Sequence, residues 1–498
     1  ARITGINQDN RGNYLISLND SDTDYTSYNY IGASGLWLNN DYDRATGTVT
    51  VVNGPIRGTV NTHNNGSTGT WITSRKAITI TGLHSNDNGG RGLHADNCLW
   101  DGVACRYTAP ITINGLSGNF SNNQLDGMFI DSAAAVSIQN LDADNNHRGN
   151  GALIFAGNLT ITTTNPSPWT TTFNSNGSEG LWIYATGKVV LNRLQVDNNW
   201  GGGAWIRNAD ALTPQAVSIT NASFQDNYGG GKQVVGLNIE TLGAVTLKVV
   251  RVNGNHGGGA YIDNRGTNTA PVTIQQSSFV NNNPEGGPYY PGDPDYSDLF
   301  DGIDILSDSN VIWNSSSAGN NNSGDGVVIQ TPGTVTVLAA YGNNDFFNNQ
   351  QTGLGIIDAA AVSITGMRGG GNGNRGLGIW TNTAGAITVA NSLFENNGGQ
   401  GLWIQNTGSG SIKLNKVGAF GNAAKTDSDD LAACWVQTNG GAVSILNSAF
   451  HSNGDWGILV ELNGGLITPN FTGTSYRGNN QDGAGFDGTN NLDLEVVP

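Results

Sequence analysis

Charge is scarce in this chain. Only 12% of its 498 residues are charged, with 7 Lys and 6 Glu beside 33 Asp, and the formal net charge is −17. An acidic field of that size argues against nucleic acid or an anionic membrane surface as partner. Long apolar runs are also missing: no stretch of about 18 residues exists, so no membrane span is expected. Strong helix formers are few, which argues against helix as the main element. Three cysteines are too few for a disulfide framework. Cys98 and Cys105 are placed to close a small loop in an oxidising compartment, and Cys434 is left over as an expected buried, inert thiol. The chain opens on Ala1 rather than Met, as expected of a processed product.

What is abundant is Gly (73) and Asn (67), together with 12 Trp, 14 Tyr and 14 Phe. Hydrophobic residues reach 37%, enough to bury a core, which excludes disorder. One pattern recurs: Gly, an apolar residue, a variable residue, then Ile, Leu or Val. It reads Gly35-Leu36-Trp37-Leu38, Gly127-Met128-Phe129-Ile130, Gly180-Leu181-Trp182-Ile183 and Gly401-Leu402-Trp403-Ile404, in 16 copies with weaker ones counted. The spacing has a floor of 23 residues and alternates long and short for its first twelve intervals, which suggests an ancestral unit of two coils. Between copies lies a second run, such as Ala135-Val136-Ser137-Ile138, and then a third, such as Phe224-Gln225-Asp226-Asn227.

Three short β-runs and Asn/Gly corners in about 23 residues make one coil of a parallel β-helix. The expectation is an all-β, right-handed solenoid of about 16 coils, roughly 75 Å long at the usual inter-strand spacing. Asn suits the corners because it tolerates left-handed backbone and its amide can bond its stacked copy. The domain reading is a cap or docking segment over 1–30, one β-helix over 31–485 with an inserted acidic loop at 285–301, and a terminal strand over 486–498. These runs resemble right-handed β-helix repeat proteins of the pectin-lyase-like superfamily, and the Asn/Gly-rich coils are most similar to bacterial cell-surface repeat regions. That resemblance implies the fold and leaves function open, since the fold hosts lyases, hydrolases, tailspikes, adhesins and structural rods.

The hydrolase and epimerase motifs of that superfamily are missing from the sequence. His84, Asp87, Arg91, His94 and Asp96 fall within one coil and offer acid–base groups. The other catalytic alternative is the acidic loop with Asp298, Asp301 and Asp304. Alternating carboxylates at Asp20, Asp22 and Asp24, and again at Asp293, Asp295 and Asp298, suit Ca²⁺. Strand alternation turns the variable position outward, so the copies stack into an aromatic ladder that includes Trp37, Trp71, Phe129, Trp182, Trp205, Tyr261, Trp403 and Trp435. An exposed apolar strip of that size needs a cover: the chain's own loops, another copy, or polysaccharide. The strand-like ends Tyr14–Leu18 and Leu492–Val497 can cap the helix or pair with a further copy. The expected function is therefore an extracellular structural or adhesive rod that self-assembles. The alternative is a carbohydrate-active protein, either a lyase or hydrolase or a non-catalytic glycan-binding module.

Overall fold

A computed structural model describes residues 34–40, 48–52, 60–98, 105–164, 171–210, 213–228, 235–266, 270–282, 301–314, 321–422, 432–454, 456–463 and 469–479, with short strands at 2–4, 7–9, 14–17, 317–318 and 494–497. The described elements are all strands. The fold is an all-β parallel solenoid of about 13 turns, the expected class with somewhat fewer turns than the expected 16. A Gly-containing run marks one strand, whereas a full turn needs all three runs. The end copies at Gly35 and Gly457 are flanked by 41–47 and 464–468, outside the described residues. Two compact units divide the chain, Ala1–Thr241 and Leu242–Pro498.

Both units use one coil design. In the first strand, burial alternates residue by residue, as in Thr70–Ser74, Ala152–Ala156, Ala260–Asn264 and Leu402–Asn406. The inward Leu and Ile are completely buried, and so are Val136, Ile138 and their counterparts on the second strand. The third run supplies Phe120, Phe173 and Phe224 in the first unit and Phe279, Phe346, Phe394 and Phe450 in the second, all at 0% exposure. The intervening coils carry small residues at that position (Ala143, Val196, Val252, Gly369 and Ala419). Large and small layers thus interdigitate with a two-coil period, in keeping with the alternating spacing. Trp313 is buried between Phe279 and Phe346, with ring centroids 5.8 and 6.0 Å away, where the second strand elsewhere carries Ile, Leu or Val.

The corner after the third run explains the Asn content. In the first unit the side-chain amides of Asn65, Asn88, Asn123, Asn146, Asn176 and Asn199 each donate to the Oδ1 of the next Asn, ending at Asn227, at 2.8–3.1 Å. In the second unit the same chain runs from Asn255 through Asn282, Asn322, Asn349, Asn372, Asn397, Asn422 and Asn453 to Asn479. Most of these oxygens also accept the backbone N–H of the preceding Asn, as at Asn146 and Asn372. The residue before each ladder Asn has positive φ: Asn122 at 58°, Asn145 at 56°, Asn348 at 57° and Gly371 at 65° are examples. A left-handed residue turns the chain, and the buried Asn that follows ties the turn to the next coil.

The same ladder explains the repeated Gly. A Cβ at Gly127 would lie 2.6 Å from Asn146 Nδ2 and 2.7 Å from the Gly151 carbonyl, and one at Gly353 would lie 2.7 Å from the Gly376 carbonyl. Close backbone approach requires Gly there.

At the ends, Tyr14–Ser17 pairs in parallel with Leu36–Asn39, and Leu494–Val497 with Ile458–Glu461. Each extends the first-strand ladder of its unit. Residues 285–300 of the acidic insertion lie outside the described residues.

Candidate functional site

Strand register stacks the variable positions as expected. In the first unit Trp37, Trp71, His94, Phe129, Leu153, Trp182, Trp205 and Asn238 are successive Cα partners. Trp71 and His94 stack with centroids 4.0 Å apart, His94 and Phe129 at 4.8 Å, and Trp182 and Trp205 at 4.9 Å. The rings cover one another and are half-buried apart from the buried His94. In the second unit Tyr261, Asp304, Val328, Gly355, Gly378, Trp403, Trp435 and Leu459 form the same column.

A second outward column lies two residues further along each strand. In the first unit it runs Asp96, Asp131, Phe155, Tyr184, Arg207 and Glu240. Phe155 and Tyr184 stack at 5.1 Å with rings nearly parallel. Where the first column narrows to Leu153, a groove of about 630 Å³ opens. Phe129, Leu153, Phe155 and Tyr184 form its floor. Small residues at the strand exits, Ala133, Ala156 and Ala185, keep its side low. Asp131 and the bonded Cys98–Cys105 pair rim one end, and Arg207 and Asp210 rim the other.

The rim charges are unequally satisfied. Arg207 donates to Asp210 at 3.1 Å and lies 3.8 Å from Glu240, and the Asp210 carboxylate holds its guanidinium above the usual arginine range. The Asp131 carboxylate meets no hydrogen-bond donor or cation among the described residues. Burial, then the neighbouring Asp96 charge, raises it to about 6. Its oxygen lies within 4.8 Å of the Cys98 and Cys105 sulfurs. Because those sulfurs are joined, they are not thiolates, and the three groups do not make a metal centre. Cys434 is free and buried, and burial drives its thiol far upward, as an inert thiol requires.

The acid–base group within one coil is dispersed. Arg91 and His94 do meet, 3.3 Å apart, but Arg91 is bonded to Asp126 at 2.9 Å and covers the Phe129 ring at 4.3 Å. Burial, then Arg91, pushes His94 down to about 4, so it is a neutral stacking member of the ladder. His84 stands on a separate strand, Leu83–His84, lowered by burial and by His63. Asp87 is a left-handed corner residue at φ 56°. The Asp96 carboxylate accepts the Cys98 N–H at 2.9 Å.

Asp301 is buried and accepts the Asp325 N–H at 2.6 Å, and Asp304 sits buried in the first column of the second unit. Asp20, Asp22, Asp24, Asp293, Asp295 and Asp298 lie outside the described residues. The second outward column contributes Asp131, Phe155, Tyr184 and Arg207 to the groove, beyond the expected ladder. Period-2 alternation continued two residues past the variable position would have found them.

No family model, curated protein or solved structure matches the chain.

Proposed function

We propose that the chain is an extracellular, adhesive β-solenoid that holds glycan, without cleaving it, in the groove on the outward face of its first unit. The observation that carries this reading is the aromatic floor, in which Phe155 and Tyr184 are in register on one outward column and Phe129 lies beside them on the other, along an open groove. Phe155 and Tyr184 stack on one another, so what they offer a glycan is a row of ring edges; the rungs repeat at about 4.8 Å, close to the length of one pyranose along a chain, so successive sugars pack along successive edges. The Cys98–Cys105 bond suits an oxidising, extracellular setting. Kinship with the pectin-lyase-like superfamily and with bacterial surface repeats belongs to the same proposal and rests on the three-run coil.

The test is glycan binding by the intact chain and by Phe155→Ala with Tyr184→Ala. Loss of at least tenfold in affinity is expected, about 1.4 kcal/mol. Unchanged binding, or glycan cleavage by the wild type, would overturn the reading.

Self-assembly is a second reading, favoured by the end strands. Tyr14–Ser17 and Leu494–Val497 each pair along one edge with the strand described beside them, and an edge strand is a template for another chain. Filaments in negative-stain electron microscopy would support it, and dispersed particles at high concentration would remove it.

A further inference from the structure

If the groove holds glycan, its charges decide which glycan. The Asp131 carboxylate is half-buried, lacks a donor or counter-charge among the described residues, and stands one rung from Asp96. A buried charge without a partner is costly, and a cation brought by a ligand would relieve that cost. The cation at the opposite rim is already engaged, since Arg207 is held by Asp210 and Glu240. Arg91, over the Phe129 ring, is bonded to Asp126. A uronate or sulfated sugar would therefore meet Asp131 and Asp210, and the arginine among the described lining residues, Arg207, is already engaged, on a chain of net charge −17.

Asp131 and Phe155 are direct Cα partners. A sugar ring packed against the edge of Phe155 thus presents its substituents to the carboxylate one rung away.

We propose that the groove takes an amino-sugar glycan with free amines, a protonated amino group being seated on the Asp131 carboxylate while its ring packs against the exposed edges of Phe155 and Tyr184. This inference rests on the glycan reading of the groove. Charge pairing sets which glycan binds, and the aromatic floor supplies the contact area common to all of them.

Calorimetric titration of the full chain tests it with the hexasaccharide of glucosamine and its fully N-acetylated counterpart, at about pH 6.5, where an exposed amine is substantially protonated and Asp131 substantially ionised. The free-amine hexamer should bind about tenfold more tightly, and Asp131→Asn, which keeps the side-chain size, should bring the ratio of the two affinities to about one. Equal binding of the two hexamers by wild type would overturn this inference and leave the glycan reading standing, as would a preference that survives Asp131→Asn. So would tighter binding of hexagalacturonate, or displacement of the amine hexamer by Ca²⁺ alone. Failure of both hexamers and of hexagalacturonate to bind would overturn the glycan reading and this inference together. Binding of a lysine hexapeptide in their place would make the groove a peptide site.

Discussion

The two units share a coil and differ in what they leave on its outward face. In the first, the column dips at Leu153 between Phe129 and Trp182, and the second column lines the dip with Phe155 and Tyr184, so a groove remains open. In the second, the column drops further, to Gly355 and Gly378, yet there the space is filled. Trp380, from the second column, folds back over Gly378, where a Cβ would lie 2.3 Å from the indole ring. Arg375 then lies over Trp403 at 4.0 Å, and Trp403 stacks on Trp435 at 5.2 Å. Burial pushes Arg375 down to about 10. Register alone therefore does not make a binding face. The sizes of side chains at two outward positions, on coils adjacent in space, decide whether a dip in the ladder becomes a groove or a socket for the chain's own Trp.

The comparison assumes that the Asn ladder works alike in both units, and breaking it should have the largest effect. Asn146→Ala strips the acceptor from the backbone N–H of Asn123 and one of three from its side-chain amide, and Asn372→Ala removes the acceptor of both the backbone N–H and the side-chain amide of Asn349. With about 1–3 kcal/mol for each buried group left unsatisfied, each variant should lose about 3 kcal/mol in chemical denaturation. A loss in one unit only would show that the coils are not equivalent.

Next comes a matched pair on the outward face. Gly378→Val drives a side chain into the space Trp380 occupies and should cost about 1–3 kcal/mol, whereas Leu153→Val, beside an open groove, should cost less than about 1.5 kcal/mol. Thermal unfolding of the two variants reads the difference, and equal costs would mean that Trp380 is not a plug.

The smallest effect is electrostatic. Asp131 faces Asp96 on the preceding rung, and beyond Phe155 on the other side come Tyr184, Arg207 and Asp210. Its pKa is raised to about 6, so protonation favours the folded state. That stability is fully present below the unfolded carboxylate value of about 4 and is lost as pH rises through about 6. Asp131→Asn should therefore raise Tm relative to wild type at pH 8 and leave it unchanged at pH 4. An unchanged difference across that range would place Asp131 in ordinary solvent.

Much of the first unit's face was legible in the sequence. The Gly-apolar-variable-Ile run located the rungs of the ladder from Trp37 onward, because a parallel stack keeps equivalent positions in register. The use of Asn in corners followed from its backbone tolerance and its amide. Phe155 and Tyr184 were equally visible in the alternation of Ala-Leu-Ile-Phe and Leu-Trp-Ile-Tyr, but only one outward column was followed. His94 was not legible as a ring in a stack, since a lone His beside Asp and Arg reads as acid–base chemistry until Trp71 and Phe129 are found on either side of it.

The sequence by itself determined the coil: strand alternation and corner chemistry are local, so a 23-residue floor already dictates three strands and a turn. Only the tertiary structure decided where the outward face opens, that the Asp131 carboxylate of the groove meets no donor or cation among the described residues, and why Gly stands at positions such as Gly127 and Gly353. Those depend on side chains 23–35 residues away in sequence and one strand away in space. Their sizes and charges combine across coils, and no local pattern encodes that sum.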